Sequence, residues 1–472
     1  MESKREERKR KEKQLMVCLI CLFALMLASV IGITIKTAVK RSTRNGNVQD
    51  QETLGQVAET EQEKEKDILK DYVLEIPVQE TESGEPESET GAESETETEE
   101  ESETETEEDS AEIKDAEDKK EQAPKTPEEL LEEMTAEEKV AQMFMITPEA
   151  LTGYDKVTTA EELTREALEE YPVGGLIYFS ENFVNPEQTR KMTENVQKFA
   201  EEIMDVPLFL GTDEEGGRVA RIAGNPAFEV EMVQDMAGIG EGGDVKVAYQ
   251  AGQTIGKYLH DLGINVDFAP VADVLTNSEN QVIGNRSFGS RAEIVALMDL
   301  SVMEGLKEED VYACIKHFPG HGATAGDTHS GYVSLDKTLE ELTDTELLPF
   351  QSCIDSGVSF VMVSHIALPK VTGDEFPASL SEHIITDILR EKMGYRGIVI
   401  TDAMNMGAIT SRYNSKEAAV KAIQAGADMV LMPQDFKEAY QGVLAALENG
   451  DLEESRLDES VRRILHLKFQ LK

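Results

Sequence analysis

From residue 127 onward the chain alternates short, mainly apolar runs with longer stretches whose apolar side chains recur every three or four positions. The apolar runs fall at 140–146, 175–179, 207–210, 265–269, 313–315, 360–363, 398–400 and 429–432. None has a polar face, so each predicts a strand covered on both sides, as in a parallel sheet. The stretches 247–262, 294–307 and 416–425 carry the helical period, and a last one covers 457–467. Eight buried strands separated by crossover helices predict a single (β/α)8 barrel, of the TIM type, over residues 126–472, closed by the final helix.

The first 125 residues follow other patterns. Residues 1–14 hold seven Lys/Arg and abut an uncharged run at 15–35. Those 21 residues would span roughly 32 Å as a helix, the thickness of a bilayer core. The run is too long for the apolar core of a cleavable signal peptide, and no clear cleavage site follows it. It predicts a transmembrane signal anchor with a short basic cytoplasmic tail and an exported C-terminal part. Lys36, Lys40, Arg41 and Arg44 on the far side weigh against that orientation. Residues 36–125 predict a linker. Between 80 and 109 they are almost wholly Glu, Ser, Thr and Gly, too polar to offset the entropy of ordering, and therefore expected to stay disordered.

The formal charge is −48. Residues 1–50 contribute +6, 51–125 contribute −22 and 126–472 contribute −32. Everything past the basic tail is acidic, which argues against a nucleic-acid partner, since that needs a basic face to displace counterions. Four cysteines in 472 residues exclude a disulfide-built scaffold. The absence of Trp weakens a sugar-binding module built on tryptophan platforms, although 11 Tyr and 15 Phe could stack.

In such barrels reactive groups lie just past the C-terminal ends of strands. Here Asp213 follows the third run, Asp273 the fourth, Lys316 and His317 the fifth, His365 the sixth and Asp402 the seventh. The densest stretch is Lys316-His-Phe-Pro-Gly-His-Gly-Ala-Thr-Ala-Gly-Asp-Thr-His329, with Lys316, His317, His321, Asp327 and His329 inside fourteen residues. His317 and His321 have the spacing of a metal-ligand pair, but only a helix would bring them together, and Pro319 and Gly320 lie between. A glycine-rich surface loop with idle histidines is the bland reading. Asp402 could simply cap the next helix, and Arg221 and Arg286 could be structural ion pairs. Asp267 and Asp273 read as framework, His365 as pocket lining, and Cys314 and Cys353 as core thiols. For His321, shaping its loop and touching a substrate both remain open.

The run Lys316-His-Phe-Pro-Gly-His-Gly322 followed by Asp327-Thr-His329 resembles the signature of the β-N-acetylglucosaminidases of glycoside hydrolase family 3. The likeness extends to Gly211-Thr-Asp-Glu-Glu-Gly-Gly-Arg-Val-Ala-Arg221, Asn285-Arg-Ser-Phe-Gly289, Gly397-Ile-Val-Ile-Thr-Asp-Ala-Met-Asn-Met-Gly407 and the opening 131–143. It covers about residues 127–472. The resemblance implies Asp402 as nucleophile, His329 oriented by Asp327 as general acid/base, and Asp213, Arg221, Arg286, Lys316 and His317 as sugar-binding residues. It implies no metal and no cofactor. The implied activity is retaining removal of terminal β-linked N-acetylglucosamine from saccharides such as muropeptides, by a single-pass membrane protein whose catalytic domain is extracellular. A β-glucosidase of the same family and a catalytically silent, membrane-tethered wall-binding protein are the competing readings. Glu214 stands where the family often has Gln, which leaves a detail of the sugar contacts open. No second, sandwich-like domain follows the barrel region, which favours the N-acetylglucosaminidase branch.

Overall fold

A computed structural model describes residues 125–471. The basic tail expected at 1–14, the transmembrane helix expected at 15–35 and the linker expected at 36–125, apart from Lys125, lie outside the described residues. Among those described, no helix is long and apolar enough to cross a membrane.

Eight parallel strands form the barrel: β1 Phe144–Ile146, β2 Gly175–Ile177, β3 Phe209–Thr212, β4 Val266–Asp267, β5 Tyr312–Phe318, β6 Phe360–Val363, β7 Ile398–Thr401 and β8 Val430–Leu431. Their order in the sheet is β7-β6-β5-β4-β3-β2-β1-β8. A parallel bridge between Ile400 and Met429 joins the outer two, so the sheet nearly closes on itself. Each strand lies within or beside one of the eight apolar runs. Burial on both faces explains that legibility: Met145, Phe209, Phe268, Cys314, Phe360, Ile398, Ile400 and Met429 fill the inside, while Phe144, Leu176, Leu210, Val361 and Val399 pack outward under the helices.

Two boundaries differ from the sequence pattern. Residues 140–142 are helical, because Thr135 and Glu138 form a reciprocal capping box that starts a helix at Ala136–Gln142; the strand begins only at Phe144. Lys316 and His317 lie inside β5 and not after it, since that strand runs on to Phe318. The helices agree closely, as Val245–Asp261, Ala292–Glu308, Ser415–Ala425 and Glu454–Lys468.

The last helix seals the end of the barrel where the strands begin. Arg390, Arg456, Arg463 and Ser460 converge on the buried Asp428, which also accepts the Val399 N–H at 2.8 Å. Beside them Lys468 is fully buried, its Nζ donating to Gln142 Oε1 at 2.8 Å and lying 5.5 Å from the Phe209 ring centre. No carboxylate pairs with this amine among the described residues, and burial pushes its pKa down from 10.5 to about 7. The folded protein therefore disfavours the ammonium form. That cost is full below pH 7 and fades as the pH rises towards 10.5, where the unfolded chain also loses the proton. Denaturant unfolding of wild type and Lys468→Met at pH 6, 8 and 10 checks this. The stability difference should move in favour of wild type with rising pH, by about 1.4 kcal/mol per unit at most. Parallel curves would show that Lys468 titrates normally.

Candidate active site

The charged side chains gather at the opposite end of the barrel, around Lys316. β5 delivers its ammonium almost fully buried, 2.6 Å from Asp213 Oδ1 and 2.6 Å from Glu215 Oε1. Burial opposes the charged form, but the two carboxylates outweigh it and raise the Lys316 pKa. Arg286, on the loop after β4, clamps Glu215 in two-pronged fashion, with Nε–Oε2 and Nη2–Oε1 both 2.7 Å. Burial would raise Glu215; Lys316 and Arg286 instead hold it far below the carboxylate range. Arg286 also donates to His317 Nε2 at 3.3 Å, while His317 Nδ1 meets Asp273 Oδ2 at 2.7 Å. Arg221 reaches Asp213 Oδ2 at 3.7 Å and lies over the Phe179 ring. Asp213, Arg221, Arg286, Lys316 and His317 thus form one connected cluster. The ion pairs read as a bland alternative for the arginines are part of it.

Asp402 follows β7 directly. Its N–H donates to Val363 O at 2.8 Å, and its Oδ1 accepts the Ala403 N–H at 2.8 Å. Burial would raise this carboxyl; His365, His317 and the Ala403 N–H pull it below its ordinary value. His365 is itself held below the usual imidazole value by burial. His365 accepts from Ser379 at Nδ1, 2.7 Å, and donates through Nε2 to Ala403 O, 3.0 Å. It braces the backbone of Ala403, the residue after Asp402, and is not mere lining.

Asp327 and His329 sit on the loop after β5. Asp327 Oδ1 accepts both the His329 N–H at 2.9 Å and the His329 Nδ1–H at 2.7 Å. Burial would raise the Asp327 carboxyl, but those two N–H groups together with the nearby imidazole bring its pKa below the ordinary value. The pair stays open to solvent, 64% exposed for the His329 side chain against 2% for Lys316. His329 Nε2 has no protein partner among the described residues and can carry a proton to or from a bound molecule.

Three expectations change. Glu214 turns away from the cluster: its carboxylate accepts the N–H groups of Ile222 and Ala223 and the Tyr258 hydroxyl, each at 2.9 Å. It holds the loop that carries Arg221. His321 is buried with its ring nitrogens 2.8 and 3.3 Å from Thr324 and Thr328, so it shapes the loop. Glu215, absent from the expected site, is its central carboxylate. Its signal was the two-residue spacing from Asp213, which puts both on one side of an extended chain. Asp273 fits its framework reading by fixing His317 and accepting the His321 N–H at 2.5 Å. Asp267 also fits, its carboxyl driven up by burial and by its neighbours Glu214 and Asp213.

Residues 135–467 match the glycosyl hydrolase family 3 N terminal domain. The chain belongs to glycosyl hydrolase family 3. Among family 3 relatives, beta-hexosaminidase A of Pseudoalteromonas piscicida is 35% identical over 337 residues, 67% of this chain and 56% of that protein. The beta-hexosaminidase of Nitrosomonas eutropha is 31% identical over 322 residues, covering 66% of this chain and 89% of that protein. A solved family 3 β-N-acetylglucosaminidase from Paenibacillus sp. str. FPU-7 superposes with a TM-score of 0.67 at 38% identity, over 71% of this chain and 62% of that one. The chain therefore spans little more than half the length of some of these relatives and most of others.

Removing one partner of a buried ion pair leaves the other charge uncompensated. Glu215→Gln should therefore lower unfolding free energy by about 3 kcal/mol. Asp213→Asn, at a more exposed carboxylate, should cost about 1 kcal/mol. Urea denaturation compares them, and equal losses would mean that the Lys316 charge is not centred on Glu215.

Proposed function

We propose that this protein is a retaining exo-β-N-acetylglucosaminidase that removes terminal β-linked N-acetylglucosamine from cell-wall fragments such as muropeptides. The observation that supports it most is the pairing, at one barrel mouth, of a low-pKa carboxylate, Asp402, with an open Asp327–His329 dyad. In this reading Asp213, Arg221, Arg286, Lys316 and His317 bind the sugar through charge-assisted hydrogen bonds. Asp402, ionised and with Oδ2 free of the Ala403 N–H, attacks the anomeric carbon to give a covalent glycosyl-enzyme. His329 Nε2 gives its proton to the leaving oxygen, then takes one from the incoming water that releases the sugar. Asp327 holds the ring in one tautomer and offsets its charge while it is protonated. None of these steps calls for a metal or organic cofactor.

The beta-hexosaminidases and the β-N-acetylglucosaminidase named above favour an N-acetylated sugar over glucose. The uncharged run at 15–35 behind a basic tail suggests a single-pass anchor with the barrel outside the membrane, and the acidic linker suggests a tether. The full-length protein should cleave chromogenic N-acetyl-β-glucosaminides far faster than β-glucosides, and Asp402→Ala should lose at least about 10³-fold in kcat on every substrate. Protease added to intact cells should release the activity by cutting within 50–125. Preference for the glucoside, or an active Asp402→Ala, would overturn the reading of the chemistry. Activity that stays protected until lysis would overturn the topology.

A further inference from the structure

The nucleophile loop also supports the acid/base loop. Five residues past Asp402, the one-turn helix Gly407–Thr410 begins. The Gly407 N–H donates to His329 O at 3.1 Å and the Ala408 N–H to Thr328 O at 3.0 Å. These are free donors of a helix start, used here to hold the backbone of the residue that bears the imidazole. A Cβ on Gly407 would lie 2.6 Å from His329 O and 3.0 Å from the Ser330 carbonyl carbon. Both are backbone atoms, so no rotamer change relieves the contact. Gly407 lies outside the left-handed region that would itself demand glycine. The close approach of the acid/base loop is what demands it. A second tie holds the end of the same loop, where Arg412 lies 4.5 Å over the Tyr332 ring and donates to Glu375 O at 3.4 Å.

We propose that Gly407 is a positioning residue, whose missing side chain lets the Asp327–His329 loop seat at the depth where His329 can reach the leaving oxygen. The inference rests on the function proposed above. Restoring ordinary contact around a Cβ would move the His329 backbone outward by just under 1 Å. A displacement of that size is enough to impair proton transfer, whose geometry tolerates little error. Asp402 has its own supports, its N–H on Val363 O at 2.8 Å and the adjacent Ala403 carbonyl on His365 at 3.0 Å.

The test uses full-length wild type and Gly407→Ala on aryl N-acetyl-β-glucosaminides whose leaving groups range from dinitrophenolate to unsubstituted phenolate. Dinitrophenolate departs without a proton; phenolate needs one. Gly407→Ala should lose about 10- to 100-fold in kcat/KM on the phenyl substrate and about twofold or less on the dinitrophenyl substrate. Azide, which attacks the glycosyl-enzyme without base assistance, should speed turnover of the dinitrophenyl substrate by the variant and yield the glycosyl azide. An even loss across the series, or none, overturns the proposal. If Gly407→Ala does not fold, Tyr332→Ala at a 39% exposed side chain carries the test, with the same selective loss at about two- to fivefold; an even loss again overturns it. Wild type inactive on every N-acetyl-β-glucosaminide would instead sink the functional reading, and this inference with it.

Discussion

A buried ammonium sets the terms for this barrel mouth. Lys316 leaves solvent almost entirely as β5 ends, and a charge in that position must be paired in place. Its partners, Asp213 and Glu215, come from the turn after β3, and Glu215 in turn captures Arg286 from the loop after β4. Satisfying one lysine therefore ties three consecutive strands and their loops to a common geometry. The same network holds Glu215 in its charged form and leaves Asp213 as the partly open edge of the cluster.

Beyond that cluster, rigidity is distributed unevenly, and the difference follows from burial. Asp402 is fixed by its strand, by the Ala403 N–H and by His365 behind it. The Asp327–His329 pair is exposed and depends on a few local contacts: its own hydrogen bonds, two donors from the start of the Gly407–Thr410 helix and the Tyr332–Arg412 contact. A group that must form a bond at one carbon benefits from a fixed position. One that exchanges protons with a leaving group and then with water needs solvent access, and its exposure supplies it.

The barrel was legible because its strands are buried on both faces and so read as mainly apolar runs, whereas the error at 140–142 came from a largely apolar helix flank continuous with β1. The site was legible where chemistry and strand ends coincide, as at Asp213, Lys316, His317 and Asp402. Glu215 was hidden because neighbouring carboxylates in a turn look alike until their directions are known: Glu214 points to the loop at 222–223, and Glu215 to Lys316. His365 was undervalued for the same reason, since its hydrogen bond to Ala403 O joins residues 38 apart in the chain. Gly407 lay inside a quoted motif, but the contact that explains it is with a loop nearly eighty residues earlier.

In the proposed mechanism a sugar held by the Lys316 cluster has its anomeric carbon over Asp402. Trapping the glycosyl-enzyme with a 5-fluoro N-acetylglucosaminyl fluoride on the full-length protein, followed by digestion and mass spectrometry, examines that placement. One added fluorosugar is expected, on the peptide containing Asp402 and on that carboxylate. A label on Asp213 or Asp327, or turnover of the reagent through an intermediate that leaves Asp402 unmodified, would contradict it.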